Sequence, residues 1–246
     1  MQIDLLTLFP EFFASPLRQS MLQRAQDMGA VTYRVVNLRD FATDKHQVTD
    51  DRPFGGGPGM VMKIEPLVAA IRAARDSDPK TRVILLGPSG AAFNQAKAKE
   101  LAGHSHLLLI CGHYEGVDDR VHFYIDEELS IGDYILTGGE IPALIVADAV
   151  TRLLPGVLGG EGATEEESFQ DGLLEYPHYT RPRIFEGHEV PQVLLEGDHQ
   201  RIGQWRRHRA LARTVRRRPD LLAQTVLSKA DREFIKSLAL SQAEDR

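Results

Sequence analysis

The sequence has very little cysteine and no long apolar run. Cys111 is the single cysteine, which excludes a disulfide within the chain and argues against a zinc-thiolate site. The longest apolar stretch, IPALIVADAV, contains Asp148 and is much shorter than the roughly 18 residues that span a bilayer. We therefore expect a cytoplasmic protein, with Cys111 in its core, and assign no metal ligand.

Acidic residues outnumber basic ones, 35 to 29, so the chain carries a net charge of -6. This balance argues against a general coat protein for nucleic acid. The charge is uneven, however, because residues 199–218 hold eight arginines and no acidic residue, whereas 126–128 and 165–167 are acidic clusters. One region of the chain is therefore suited to a polyanion.

Apolar and β-branched runs alternate with stretches of helical periodicity. The predicted strands are 3–8, 31–38, 83–86, 107–111 and 134–136. The first predicted helix begins at Ser15 and Pro16 and ends at Gly29. Further helices are predicted over 66–75, 94–101, 142–154 and 199–218, and two more begin at Pro219 and Ser228. Strands that alternate with helices predict an α/β fold, with a parallel sheet that has helices on both faces.

Length and composition favour more than one domain. We predict an α/β domain over 1–160, a flexible linker rich in Gly, Glu, Pro and Tyr over 161–183, and a small all-helical, basic domain over 184–246.

A glycine-rich segment, DDRPFGGGPGM, occupies residues 50–60. Its successive glycines could let backbone N–H groups converge on a phosphate. It lacks the Gly-Lys-Ser/Thr of a nucleotide P-loop and the spacing of a dinucleotide fingerprint. Either a mobile surface loop or a lid ordered by substrate is compatible with it, and Asp50, Asp51 and Arg52 favour the lid.

Three glycine-containing segments each follow a predicted strand. They are LLGPSG at 85–90, CGHYEGVDDR at 111–120 and SIGDYILTGGE at 130–140. The carboxyl ends of parallel strands meet at one edge of a sheet, where ligands bind. Glycine after a strand usually only makes a turn, but three such loops in one sheet favour a composite small-molecule pocket.

Together with PGVLG and PHYTRP, these motifs resemble the bacterial tRNA (guanine-N1)-methyltransferases of the SPOUT superfamily over nearly the whole chain. The resemblance implies a C-terminal trefoil knot in the cofactor domain, a rare exception to unknotted folds. It also implies S-adenosyl-L-methionine as methyl donor and a homodimer with each active site at the subunit interface. The expected product carries the methyl group on N1 of guanosine 37 in tRNA, when guanosine 36 precedes it.

The same resemblance assigns the residues that bind the cofactor. They are Leu85, Leu86, Gly87, Pro88, Gly112, Tyr114, Glu115, Gly116, Ile131, Gly132, Tyr134, Leu136, Gly138, Gly139 and Pro142. Glu115 would supply negative charge for the cationic cofactor, although a solvated loop carboxylate is the simpler interpretation. Close backbone approach at Gly112 and Gly139 predicts that a bulky replacement abolishes cofactor binding while the fold persists.

Methylation of guanine N1 needs a base for the N1 proton and a positive group near O6. The family motif gives the positive role to Arg152, which would otherwise be a surface arginine at a helix C-terminus. The base falls on Glu167, where the family usually has Asp. Glutamate has the same charge and one more methylene, and Asp171 or Glu166 could substitute for it. An acidic run in a linker is otherwise simply solvated.

The tRNA is expected to contact residues in three segments. Tyr179 offers a stacking surface and Arg181 a donor fork in PHYTRP, which is otherwise a proline-bounded turn. Arg52 lies in the glycine-rich segment. The helix over 199–218 is expected to direct one set of arginines toward phosphates or, more simply, toward solvent: Arg206, Arg209, Arg213, Arg216 and Arg217. Trp205, Leu211, Ala212 and Val215 would form its opposite side.

Two other functions compete with the base methyltransferase. An RNA-binding module without catalysis would explain the basic helix and Tyr179, but it has no need of a three-loop pocket. A SPOUT enzyme that methylates a ribose hydroxyl would use that pocket, but the guanine-N1 motifs of this chain argue against it. The sequence does not indicate which tRNA isoacceptors are used or whether a divalent ion assists.

Overall fold

The computed structural model describes residues 1–159 and 167–244, in two units that cover 1–160 and 161–246. The strands of the first unit are β1 (Gln2–Thr7), β2 (Thr32–Asn37), β3 (Asp50–Asp51), β4 (Val61–Met62), β5 (Arg82–Ala92), β6 (His106–Cys111) and β7 (Glu127–Ser130). Its helices are α1 (Ser20–Asp27), α2 (Ile64–Ser77), α3 (Gln95–Ala102) and α4 (Glu140–Thr151). Short 3₁₀ turns connect several of them.

A five-stranded sheet in the order β2-β1-β6-β5-β7 organises the first unit, and every pairing in it is parallel. Alternate side chains of a strand point to opposite faces of its sheet. In the central strand β6, Leu107 and Leu109 pack on one face, whereas Leu108 and Ile110 pack on the other. The predicted α/β fold with a parallel sheet covered on both faces is confirmed.

Helices cover the two faces unequally. Leu22 of α1, Leu101 of α3 and Val146 of α4 belong to the apolar cluster on one face. On the other face, α2 contributes Leu67 and Ile71 to a second cluster. Because the strands between these helices run parallel, their carboxyl ends lie at one edge of the sheet, where their loops meet.

The fifth strand is not where the sequence pattern placed it. Residues 134–136 form an exposed loop, and the strand is instead β7, which begins inside the predicted acidic cluster. An edge strand is paired on one side only, so it tolerates charged side chains that form ion pairs. Glu127 accepts a hydrogen bond from Arg82 at 3.0 Å, and its carboxylate is 3.0 Å from the Lys97 ammonium. The apolar run at 134–136 lines a cavity instead of a core.

Strand β5 is longer than predicted because it contains an irregularity. Leu86 and Ala91 both pair with Leu129 of β7, so residues 87–90 leave the ladder between them. Residues 87–90 of LLGPSG are therefore a bulge within a strand, where the sequence predicted a loop after one. Bulges redirect the chain locally, and this one presents residues 87–90 to the edge that carries the other two loops.

The second unit contains two long helices, α5 (His199–Arg217) and α6 (Lys229–Glu244). Helix α6 begins with a capping box, because Ser228 N–H donates to the Asp231 carboxylate and Asp231 N–H donates to the Ser228 hydroxyl. The buried core of the second unit is small and consists of Leu173, Ala210 and Leu211. No helix among the described residues is long and apolar enough to cross a membrane.

The prediction of an all-helical region over 184–246 is wrong at its beginning. Strands β8 (Ile184–Phe185) and β9 (His188–Glu189) form an antiparallel hairpin. The two residues between them, Glu186 and Gly187, both have positive φ. A two-residue loop of this kind matches the right-handed twist of the strands, so the Glu-Gly pair favours a hairpin at this position.

Candidate active site

A cavity of about 470 Å³ lies at the carboxyl ends of β5, β6 and β7. This volume falls within the usual range for small-molecule sites. All of the residues predicted to bind the cofactor line it, and they come from β5 with its bulge at 87–90, the loop after β6, the loop after β7 and the start of α4. The structure thus brings the three predicted segments together in one pocket.

Gly139 joins two of the pocket loops. Its N–H donates to the Gly112 carbonyl at 2.8 Å, and a side chain at this position would place Cβ only 2.6 Å from Cα of Cys111. Because Cys111 is backbone in a buried strand, it cannot move aside cheaply. This geometry argues against the expectation that a bulky replacement of Gly139 spares the fold. At Gly112 the nearest atom to a new Cβ would be 3.5 Å away, which is ordinary contact.

The glycine-rich segment is tied to the pocket by its backbone. Glu115 N–H donates to the Met60 carbonyl at 3.0 Å, and Met62 N–H donates to the Gly116 carbonyl at 2.9 Å. Strands β3 and β4 close the segment into a short antiparallel ladder. Arg52 and the fully exposed Phe54 lie on the loop between these strands. The segment therefore borders the cavity on the side of the loop after β6.

Negative charge predominates among the ionisable residues that line the cavity. Glu115, Asp119 and Glu128 contribute carboxylates, and Glu128 is well buried, with 14% of its side chain exposed. His122 lies between two of them, 3.7 Å from Asp119 and 3.7 Å from Glu128. Asp119, His122 and Glu128 were not predicted, although the first lies within a quoted motif. This arrangement favours a cationic ligand.

Helix α4 begins and ends on buried polar contacts. At its start, the buried carboxylate of Glu140 accepts a hydrogen bond from Thr7 at 2.8 Å. At its end, the hydroxyl groups of Thr151 and Tyr33 are 2.5 Å apart. Burial raises the pKa of Tyr33 to about 12. Arg152 follows as the C-terminal cap, as predicted, and its N–H donates to the Asp148 carbonyl.

Glu167 lies in the second unit, at the start of a segment that packs on α5. It borders a pocket of about 240 Å³, together with Asp171, Arg206 and Arg207. Leu174 N–H donates to the Thr214 hydroxyl of α5 at 2.9 Å, so this part of the predicted linker has a defined attachment. Two of the three candidate bases therefore line one pocket, and Glu166 lies outside the described residues.

The arginines of α5 differ in their surroundings. Arg209 is exposed and lies over the Trp205 ring at 5.6 Å. Arg206 is half-buried over the Tyr176 ring at 4.8 Å, and Arg213 donates to the Glu175 carbonyl at 3.1 Å. The expected single outward face is therefore wrong for two of its five arginines, Arg206 and Arg213, because helix packing turns them toward residues 175–176.

Similarity to known proteins extends over almost all of the chain. Residues 1–224 match the family described as tRNA (Guanine-1)-methyltransferase TrmD. A tRNA (guanine-N(1)-)-methyltransferase of Dictyoglomus turgidum is 55% identical over 97% of this chain and 96% of its own length. Proteins with the same name from Dehalococcoides mccartyi and Moorella thermoacetica are each 54% identical, over 96% and 99% of this chain and equal shares of their own. The resemblance drawn from the motifs is confirmed: the chain belongs to the tRNA (guanine-1)-methyltransferase family.

Proposed function

We propose that this protein transfers the methyl group of S-adenosyl-L-methionine to N1 of guanosine 37 in tRNA, beside the anticodon, with guanosine 36 required as the preceding base. One observation carries the proposal. The three glycine loops expected from the family resemblance line a single cavity of small-molecule size, in a chain that is more than half identical to named guanine-N1 methyltransferases.

The lining of the cavity fits S-adenosyl-L-methionine. Apolar side chains such as Leu86 and Leu136 can enclose the faces of the adenine, while backbone groups of the loops after β6 and β7 can bind its edge. Glu115 and Glu128 offer negative charge to a cationic molecule. When bound, the cofactor supplies an electrophilic methyl group on a sulfonium.

The protein must also remove the N1 proton of guanine and offset the charge that develops on O6. We assign proton removal to Glu167 and charge stabilisation to Arg152. Glu167 belongs to a segment that is hydrogen-bonded to α5, and Arg152 to the end of a buried helix. Both residues thus belong to segments attached to helices, and catalysis depends on groups that are held in position.

The rest of the proposed assembly follows the family resemblance. The cofactor domain carries the trefoil knot, the remaining C-terminal region forms a tRNA-binding domain, and two copies form a homodimer with each active site at the subunit interface. Tyr179, Arg181 and Arg52 contact the tRNA together with arginines of α5. Tyr179 is 48% exposed, which leaves its ring available to a base.

The proposed activity is tested by methylating tRNA transcripts with labelled cofactor and mapping the modified nucleoside. We expect 1-methylguanosine at position 37, and none when guanosine 36 or 37 is replaced. Label on a ribose hydroxyl would identify the competing ribose methyltransferase. tRNA binding without any transfer, in protein that retains cofactor affinity, would favour the binding module instead.

Subunit mixing tests the shared active site. Arg152→Ala and Glu167→Gln should each be inactive alone. If one site combines Arg152 of one subunit with Glu167 of its partner, then mixed dimers regain one intact site, and random mixing restores about a quarter of the sites. Without any recovery in dimers shown to have exchanged subunits, both residues would have to come from the same copy.

A further inference from the structure

Three side chains of the second unit form a cluster at its surface, which we call the aromatic platform: Tyr179, Trp205 and Arg209. The rings of Tyr179 and Trp205 are 6.3 Å apart and inclined by 55°. The Arg209 guanidinium lies 5.6 Å from the Trp205 ring. Tyr179 and Arg209 are exposed, and Trp205 is half-buried. The platform therefore presents the exposed ring of Tyr179 beside a half-buried second ring.

Charge on the surrounding helix indicates what kind of partner fits. Helix α5 and its C-terminal cap hold eight arginines and no acidic residue. Arg201, Arg207 and Arg218 are each paired with a carboxylate. Arg209 has no ion pair among the residues that the structure describes, and its guanidinium lies against the Trp205 ring. A cation held on an aromatic ring remains available to an anion beside that ring.

We propose that the aromatic platform binds one unpaired base of the tRNA, which stacks on Tyr179, while Arg209 contacts the adjacent phosphate. This inference rests on the proposed function, since it names a subsite for the same substrate. Aromatic side chains stack on the unpaired bases of RNA, and paired bases are closed to them. An aromatic surface flanked by an available guanidinium matches the two parts of a nucleotide, its flat base and its charged phosphate.

Trp205 provides a direct readout because it is the only tryptophan in the chain. Binding of a tRNA anticodon stem-loop to the full-length protein should quench its fluorescence. A blunt RNA duplex of equal length, bound to the same extent by the anisotropy of a labelled strand, should leave the fluorescence nearly unchanged. Equal quenching by both RNAs, or none by the stem-loop at saturation, would overturn the proposal.

Two variants separate stacking from charge. Tyr179→Ala should weaken stem-loop binding by about tenfold without altering its dependence on salt. Arg209→Gln should lower the slope of log affinity against log salt by about 0.7 to 0.9. Phe185→Ala removes another exposed aromatic side chain of the same unit and serves as the matched control, with unchanged affinity. If Phe185→Ala has the same effect as Tyr179→Ala, the platform is not a specific site.

A methylation assay distinguishes failure of this inference from failure of the proposed function. Protein that methylates N1 of guanine but shows no quenching with bound stem-loop would lack the platform contact only. Protein that shows selective quenching but forms no 1-methylguanosine would retain the platform and lose the proposed activity. Unchanged thermal unfolding of Tyr179→Ala and Arg209→Gln would show that their effects concern binding.

Discussion

The two units of the molecule hold their side chains in place by different means. In the first, a parallel sheet lies between two large apolar clusters, and the cavity is built on backbone that packs closely. In the second, the buried core is small, and hydrogen bonds and ring contacts of arginines add to it. The cavity should therefore be sensitive to changes of side-chain volume, whereas the second unit should be sensitive to the loss of single polar groups.

The largest expected effect tests whether the second unit carries the chemistry. Glu167→Gln keeps the shape of the side chain but cannot accept a proton, so turnover should fall by about 10² to 10⁴, with tRNA and cofactor affinities nearly unchanged. Single-turnover methylation measures the change. Glu167→Asp preserves the charge and should retain substantial activity.

The neighbouring carboxylate provides the control for this assignment. Asp171 lines the same pocket, but it is not the assigned base. If Glu167 is the base, Asp171→Asn should therefore have a much smaller effect on turnover. Near wild-type turnover in Glu167→Gln would defeat the assignment. The same substitution at Asp171 and Glu166 would then identify the base.

A pair of glycine variants tests the sensitivity of the first unit to volume. In Gly139→Ala the new methyl group would overlap the backbone of Cys111, so we expect a loss of about 1 to 3 kcal/mol of stability and weaker cofactor binding. In Gly112→Ala the closest atom is 3.5 Å away, so stability should persist. Thermal unfolding and calorimetry with S-adenosyl-L-methionine measure both. Equal stability of the two variants would contradict the packing argument.

The ion pair between Arg207 and Asp231 tests the polar character of the second unit. The Arg207 guanidinium lowers the pKa of Asp231 from 3.8 to about 2. Because the folded value is the lower one, the pair contributes its full stability above pH 3.8 and loses it as the pH falls toward about 2. Unfolding followed by Trp205 fluorescence should show this loss in the wild type, and a much smaller one in Asp231→Asn.

Asp220 serves as the matched control for that measurement. Its pKa is also lowered by an arginine, Arg218, but the pair is exposed and screened by solvent. Asp220→Asn should therefore keep most of the pH dependence. If both variants remove the same part of it, burial of Asp231 is not what makes its pair stabilising.

The smallest effect concerns the helix end that precedes Arg152. Tyr33→Phe leaves the buried Thr151 hydroxyl without the hydroxyl partner it has in the wild type, which should cost about 1 kcal/mol of stability. A shift of the following arginine should lower turnover slightly and leave cofactor affinity unchanged. Chemical denaturation and steady-state kinetics measure the two effects. Unchanged stability would show that this contact contributes nothing.

Sequence patterns predicted the first unit better than the second. Most strands and helices lie within a few residues of their predicted positions, because a sheet buried on both faces produces continuous apolar runs. The fifth strand was misplaced because the prediction looked for an apolar run. Strand β7 lies at the sheet edge and instead carries Glu127, which forms ion pairs. For α5, periodicity placed Arg206 and Arg213 outward, but contacts with residues 175–176 turned them inward.

The sequence by itself determined the family, the parallel α/β layer and the segments that line the cavity, because these depend on local patterns and on motifs read along the chain. Only the tertiary structure decided how close the segments come. Contact of Gly139 with Cys111, the hydrogen bond of Thr7 with Glu140 and the ring pair of Tyr179 and Trp205 all join residues distant in sequence. Such contacts depend on packing in three dimensions, which no one-dimensional pattern records.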